Sequence, residues 1–505
     1  MLFHPIMLPL LTLLFSYVIF CILRKLRSNP KLKLPPSPPR IPIIGNFHQI
    51  TPLFHQFLHQ MSLKYGPLVL FKFGSKPTLV VSSAEATSDI LKTHDIIFAD
   101  RFPAKAFKIL FFGGNDIIMS PYNEQWKQLR KFCVVELLSP KRVNSFKHIR
   151  EEEVDKMIQN IARERGGVVN LTETVFTVLN AIVFRCSLGD NFNKEYTDGF
   201  IELIEKANSL AGAFSFGDFF PWLQWLDIVS GFDAKLRNAA KELNIFFDQI
   251  IDDSIRISSQ VDHSHHDKDE KKSFKEILIS HAGKNNSSFT RECMKGLIMD
   301  MFVGGIDTSA TVVDWAMAEL IKNPKLMKKA QEEVRRVVGN KTNKVEEHHI
   351  NQMDYLKCIV KETLRMHPPI PTYSRRSSGS AKIGGCDIPP NMEVFINVWT
   401  FQRDPKLWDE AEEFRPERFI NNPIDFKGQD FQFIPFGSGR RGCPGMSFGL
   451  AVVELVLANL LFAFDWELPG GASSEELDMD EKAGFTIMRR TPIQVVPVPF
   501  CATFS

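Results

Sequence analysis

Phe436-Gly437-Ser438-Gly439-Arg440-Arg441-Gly442-Cys443-Pro444-Gly445 sets a single cysteine in a glycine-rich turn just before an apolar, helix-forming run. Glycines allow the tight geometry that frees backbone N–H groups, and a helix start presents more of them, so a sulfur at Cys443 is placed to be held as a thiolate. Phe436 supplies an apolar lid and Arg440 a cation for a nearby anionic group. Gly439 and Gly445 leave room for a flat ligand to approach the backbone. A buried structural thiol is the ordinary alternative for a free cysteine. It does not explain why six positions of the ten, Phe436, Gly437, Gly439, Arg440, Cys443 and Gly445, are so constrained.

The loop resembles the F-x-x-G-x-R-x-C-x-G signature of the cytochrome P450 family. The resemblance implies that Cys443 is the axial ligand of a haem b iron, with Phe436, Gly437, Arg440 and Gly445 around the cofactor. Other elements of the family occur in order. Glu362-Thr363-Leu364-Arg365 matches E-x-x-R, whose i,i+3 spacing lets the two side chains meet on one helix face. Pro416-Glu417-Arg418-Phe419 resembles the segment whose arginine completes a structural triad with that pair. Taken alone, Glu362 and Arg365 are an ordinary surface ion pair; their place before Arg418 and Cys443 gives them weight.

Gly304-Gly305-Ile306-Asp307-Thr308-Ser309 lies inside a run, 292–323, that reads as one long helix. Each glycine within a helix costs roughly 1 kcal/mol relative to alanine, and a groove beside a ligand explains the pair. Asp307 and Thr308 then offer an acid and an alcohol for passing protons through water, which makes them the catalytic pair of the expected reaction. A helix N-cap is the competing explanation for Asp, Thr and Ser here, but apolar helical sequence (Leu297, Ile298, Met301, Phe302, Val303) runs up to the site. Trp126 and Arg130 resemble the family's W-x-x-x-R pair, which reaches a haem propionate. Arg376 stands where the family usually places another propionate-binding arginine. Plant members usually carry proline just before it, whereas this chain has Arg375, so the register between the two arginines stays open.

No long linker, repeat or low-complexity block divides the chain after about residue 45, and 44% of its 505 residues are hydrophobic, 43 of them phenylalanine. The expected fold is mainly α with a small β portion, the cytochrome P450 fold, preceded by a single N-terminal transmembrane helix. The expected organisation is a membrane anchor over 1–23, a basic and proline-rich hinge over 24–46 and a haem-thiolate catalytic domain over 47–505. The uncharged segment from Pro5 to Leu23 is just long enough to span a bilayer, and the basic residues that follow it (Arg24, Lys25, Arg27, Lys31, Lys33) place the rest of the chain in the cytoplasm. Eight cysteines without paired spacing fit reduced thiols rather than a disulfide framework. A net charge of +2 and the lack of a basic stripe with interleaved aromatics give no sign of a nucleic-acid partner. His263, His265 and His266 fall in a charged stretch and read as a solvated loop rather than a metal site.

The resemblance, which covers essentially the whole chain and is nearest to the plant A-type group, implies a monooxygenase of the endoplasmic reticulum membrane. Dioxygen would be consumed with NADPH electrons delivered by a separate NADPH–haemoprotein reductase, because no dinucleotide-binding or flavin segment is visible. Lys127, Lys131 and Arg441 are docking cations in this reading. Family substrate-contact segments fall on Phe107, Leu110 and Phe111; on Met301, Val303 and Gly304; on Ile370, Thr372 and Tyr373; and on Phe485 and Thr486. That lining is apolar and favours a hydrophobic specialised metabolite, with a terpenoid preferred over an alkaloid, coumarin or phenylpropanoid. Two other functions stay open: an NADPH-independent haem-thiolate isomerase or dehydratase, and a non-catalytic haem-binding membrane protein.

Overall fold

The computed structural model describes residues 32–101, 104–164, 166–190, 194–260, 272–282, 289–339 and 342–500, together with positions 12, 16 and 19. Apart from those three positions, the anchor expected over 1–23 lies outside the described residues, as do the basic start of the hinge and the histidines near 265. The remainder is mainly helical with small sheets, as the sequence implies. The helices that position the site are α1 (Lys105–Leu110), α2 (Glu124–Phe132), α3 (Leu171–Leu188), α4 (Lys194–Ala211), α5 (Arg291–Gly305), α6 (Asp307–Lys322), α7 (Asp354–Met366) and α8 (Met446–Ala463). The largest sheet has four strands: β1 (Leu68–Phe73), β2 (Lys76–Val81), β3 (Thr372–Arg376) and β4 (Glu393–Asn397).

The strand order is β1-β2-β4-β3. The hairpin β1–β2 is antiparallel, β2 runs parallel to β4 with Leu79 opposite Val394, and β3 returns antiparallel with Arg375 opposite Val394. Gly74 makes the hairpin turn at φ 60°, and a side chain there would strike the Phe219 carbonyl at 2.5 Å. The proline-rich stretch lies along this sheet, where the Leu70 N–H donates to Pro36 O and the Asn46 N–H to Lys72 O, both at 2.8 Å.

Among the described residues three segments are apolar enough to cross a bilayer: α3, the α5–α6 run and α8, with mean hydropathies of 1.3, 1.3 and 2.0. All three are packed inside the protein, so their apolarity reflects burial on most sides rather than lipid contact. The run read as one helix over 292–323 is two. α5 ends at Gly305 and α6 begins at Asp307, with Ile306 between them at ψ −73° and its N–H stretched to 3.4 Å from Phe302 O. Asp307 is not an N-cap, because Ile306 holds that position with a helical conformation and no side-chain cap.

Beneath this layer Glu362 and Arg365 meet on α7 with no solvent exposure. Glu362 accepts from Arg365 Nε (2.7 Å) and Nη2 (2.8 Å) and from Arg418 Nε (2.9 Å). Arg365 donates onward to the carbonyls of Gln402 and Ala411, both at 2.8 Å. The triad pins the irregular segment 402–418 against α7.

Candidate functional site

The cysteine loop is built by backbone. Gly437 (φ 72°) and Gly439 (φ 68°) take conformations that disfavour a side chain, and a Cβ on Gly439 would lie 2.6 Å from Asp95 Oδ1. The turn closes where the Cys443 N–H donates to Phe436 O (2.8 Å), and α8 starts with the Gly449 N–H on Gly445 O (2.8 Å). The Tyr373 hydroxyl lies 2.6 Å from the carbonyls of Ile434 and Pro435 and accepts from the Gly437 N–H at 3.2 Å. Tyr373, expected to touch substrate, is thus also a brace between β3 and the loop.

Cys443 is accessible, and what it faces is an internal cavity of about 300 Å³. Burial pushes its thiol pKa up, while the N–H groups of Gly445 and Met446 and the Arg130 guanidinium pull it down. Across the cavity stand Gly304 and Thr308, with Phe436, Gly437 and Gly445 on the cysteine side. The two helix glycines have different tasks. A Cβ on Gly305 would press on Val183 of α3 at 3.2 Å, whereas one on Gly304 would meet nothing nearer than Ile118 Cδ1 at 3.9 Å and would take up cavity space instead. Thr308 Oγ1 donates to the Gly304 carbonyl at 2.6 Å, which holds the notch where α5 and α6 part.

Four arginines line one end of the cavity: Arg101, Arg130, Arg375 and Arg441. Desolvation lowers the pKa of each, Arg101 to about 10, Arg441 to about 9 and Arg375 well below the arginine norm, which marks a cluster of cations short of counter-charge. Among the described residues Arg101 Nε is buried without a partner, and the one side-chain hydrogen bond of Arg375 is to its neighbour's carbonyl, Ser374 O, at 3.0 Å. A dicarboxylate ligand satisfies this end, and a single cysteine on the cavity wall satisfies a soft-ligand iron. The residues fit haem.

Several expectations are corrected by position. Arg440, expected beside the cofactor, turns outward and pairs with Asp95 at 3.1 Å, while Arg441 is buried and donates to Ala99 O (2.8 Å), Ile117 O (3.3 Å) and Ser120 O (2.6 Å). In the F-x-x-G-x-R-x-C-x-G signature the arginine stands two residues before the cysteine, so its position in this chain is Arg441 and not Arg440, and the buried side chain is the one the signature names. Arg441 is therefore closed to a docking partner, and of the three docking cations only Lys127 and Lys131 are exposed. Arg375 lines the cavity rather than Arg376, whose guanidinium bonds Asn391 at 2.9 Å. Successive strand residues face opposite ways, and Arg375 shares the face of Tyr373.

Trp126 is absent from the cavity wall, since its indole N–H donates to Ile117 O at 3.0 Å and its ring lies 4.0 Å from the Arg441 guanidinium. Asp307 also lies off the wall. Burial, and after it the charge of Glu205 on α4, pushes its pKa up to about 6. Met301, Val303, Gly304, Ile370, Thr372, Tyr373 and Phe485 line the cavity as expected. Phe107, Leu110, Phe111 and Thr486 do not. Phe107 packs on Phe111 at 5.3 Å and on Phe485 at 6.2 Å, behind the wall.

The sequence reading missed Arg101 and Asp300, both on the wall. Asp300 left a signal, as the lone acid within Leu297-Ile298-Met299-Asp300-Met301-Phe302. Arg101 left none that its neighbours in sequence reveal.

A family model described as Cytochrome P450 matches residues 35–496. The chain is 44% identical over 510 residues to phenylacetaldehyde oxime monooxygenase of Prunus mume, covering 99% of this chain and 95% of that protein. It is 42% identical over 477 residues to psoralen synthase of Ammi majus, with 94% of each covered. A zebra fish cytochrome P450 solved with progesterone superposes with a TM-score of 0.76 at 21% identity, over 88% of this chain and 99% of that one, a likeness of fold.

Proposed function

The chain belongs to the cytochrome P450 family, in its plant A-type group, and from that premise we propose that it oxidises a hydrophobic plant specialised metabolite. Members of this family are haem monooxygenases that use dioxygen and NADPH electrons supplied through a reductase. The observation that carries the substrate reading is the cavity lining, where Ile118, Met301, Val303, Val312 and Ile370 supply aliphatic surface alongside the rings of Phe436, Phe448 and Phe485. Such a wall suits an alicyclic skeleton, and a terpenoid is the preferred class. A second reading, an aromatic substrate, is favoured by the names of the oxime and psoralen relatives. The segment 1–23 would hold the enzyme in the endoplasmic reticulum membrane, with the catalytic part in the cytoplasm.

Haem ligated by thiolate activates dioxygen when electrons arrive. The chain's own residues do the rest. Cys443, steadied by the N–H groups of Gly445 and Met446, would bind the haem iron through its sulfur, and Arg101, Arg130, Arg375 and Arg441 would hold the propionates. The apolar wall orients one C–H bond of the substrate and excludes water. One oxygen atom enters that bond and the other leaves as water, which consumes two protons besides the two electrons from NADPH. Thr308 Oγ1 stands at the notch to hand protons inward, and Asp307, with its pKa raised to about 6, takes them up at neutral pH.

Membranes carrying the protein and a plant reductase, offered terpenoids, alkaloids and phenolics, should give an NADPH-dependent product heavier by one oxygen or lighter by two hydrogens. Product formed equally well without NADPH would replace this reading with the isomerase. Thr308→Ala should keep haem binding and reduction while product per NADPH falls roughly tenfold or more, the difference appearing as hydrogen peroxide. Tightly coupled turnover in that variant would remove Thr308 from the proton path.

A further inference from the structure

Much of the arginine cage is held by the main chain of one irregular loop, 115–120. Ile117 O accepts from the Trp126 indole (3.0 Å) and from Arg441 Nη1 (3.3 Å), Ser120 O accepts from Arg441 Nη2 (2.6 Å), and Ile118 O accepts from Arg101. These carbonyls belong to no helix or strand, so their positions depend on what ties the loop down. Asp116 closes the loop on itself by accepting from the Met119 N–H (2.5 Å) and the Ser120 hydroxyl (2.8 Å). That gives it a shape without anchoring it to the body of the protein.

The anchor comes from α5. The Ile117 N–H donates to Asp300 Oδ2 at 2.7 Å, and the Ile118 N–H also supports that carboxyl. One turn earlier on the same helix face, Gly296 lets the Asn115 carbonyl come so close that an added Cβ would lie 2.1 Å from its oxygen. Asp300 is costly where it stands. It is 3% exposed in an apolar stretch, its Oδ1 is buried without a partner among the described residues, and the Asp116 carboxyl raises its pKa further. Because that second oxygen is closed off, the carboxyl does not reach for a ligand. Its hydrogen bonds go to the loop.

We propose that Asp300 is a positioning residue for the cofactor cage: it ties the Ile117 amide to the central helix, and thereby fixes the carbonyls that orient Arg101, Trp126 and Arg441. The inference rests on the haem reading above. It makes α5 a shared frame, with Gly304 and the notch before Thr308 at one end and the anchor of the propionate-holding arginines one turn before them.

The test uses purified holoenzyme and measures haem transfer to excess apomyoglobin together with the ferric–ferrous reduction potential. Asp300→Ala should release haem about tenfold faster and shift the potential, the loss of a buried hydrogen bond that leaves the Ile117 N–H without its acceptor. Asp300→Asn, whose amide oxygen still accepts from Ile117, should stay within about threefold. A merely structural carboxylate would show equal damage in both variants, and that result would overturn the proposal. Trp126→Phe removes a donor from the same Ile117 carbonyl, so the double variant should fall short of the product of the single effects, and a full product would also count against it. If Asp300→Ala does not accumulate as holoenzyme, Asp300→Glu moves the carboxyl by one methylene, and wild-type release from that variant overturns the assignment. The thiolate-type band of the reduced carbon monoxide complex tests the haem reading separately. A wild-type band with unaltered release in the variants would sink the role of Asp300 alone.

Discussion

Glu362→Ala is expected to abolish accumulation of folded holoenzyme. Its carboxylate is fully buried and accepts four hydrogen bonds: two from Arg365, one from Arg418 Nε and one from the Arg415 N–H at 2.8 Å. Removing it leaves two guanidinium groups facing each other with no anion between them, in a place water does not reach. Breaking a buried pair from one side costs about 3–5 kcal/mol, against a total stability of roughly 5–15 kcal/mol for a domain. Arg365 and Arg418 also carry the carbonyls of Gln402, Ala411 and Asp409, so the segment that leads toward the cysteine loop loses its ties at the same moment. Glu362→Gln, which keeps acceptor oxygen and volume, should be milder but still clearly unstable. The control is in the same chain. Glu124 and Lys127 form another i,i+3 pair at 2.6 Å, both of them exposed, and Glu124→Ala should change stability by less than about 1 kcal/mol. Urea midpoints and the yield of haem-bearing protein for the three variants decide the matter. Equal behaviour of Glu362→Ala and Glu124→Ala would refute the structural role of the triad.

The contrast between those two pairs shows what the chain discloses by itself. Spacing alone makes Glu124–Lys127 and Glu362–Arg365 equivalent, and only burial separates them. The order of segments along the chain told them apart, because the second pair stands before Arg418 and Cys443. The cysteine loop and the Gly304–Gly305 notch were likewise legible, since backbone that must bend or give way demands glycine whatever surrounds it. Side-chain direction within such segments was not. Arg375 and Arg376 differ by one step on a strand, yet the first lines the cavity and the second is turned away, whereas at the cysteine loop the signature's own spacing, arginine two residues before cysteine, already picks Arg441 over Arg440. A one-residue slip reverses a strand's faces, and only the pairing of β3 with β4 fixes which arginine points in. Trp126 was misplaced for a related reason. Its position on α2 aims it toward the cage, but its N–H is used by Ile117 O, a carbonyl 9 residues earlier that no helical spacing would reveal. Asp300 was legible only as an anomaly, an acid in an apolar helix, without the loop that gives it a purpose.

Cys443→Ala is expected to remove the thiolate-type band of the reduced carbon monoxide complex entirely and to lower NADPH-dependent product by at least about three orders of magnitude. Among the described residues no other thiol lines the cavity. Cys133, the nearest in electrostatic terms, is fully buried in the hydrophobic core, and burial drives its pKa up strongly, which keeps it a neutral thiol off the cavity wall. Haem itself should still bind to the variant, more weakly, because the arginine cage and the apolar walls are separate from the sulfur. The N–H groups of Gly445 and Met446, which now support the sulfur, would turn to water. Retained haem with a lost thiolate band is therefore the expected pair of observations. If the band survives the substitution, some other residue ligates the iron and the site is wrongly assigned. If haem binding collapses together with the fold, the loop has a structural task beyond ligation, and the arginine cage is not the independent holding device its geometry implies.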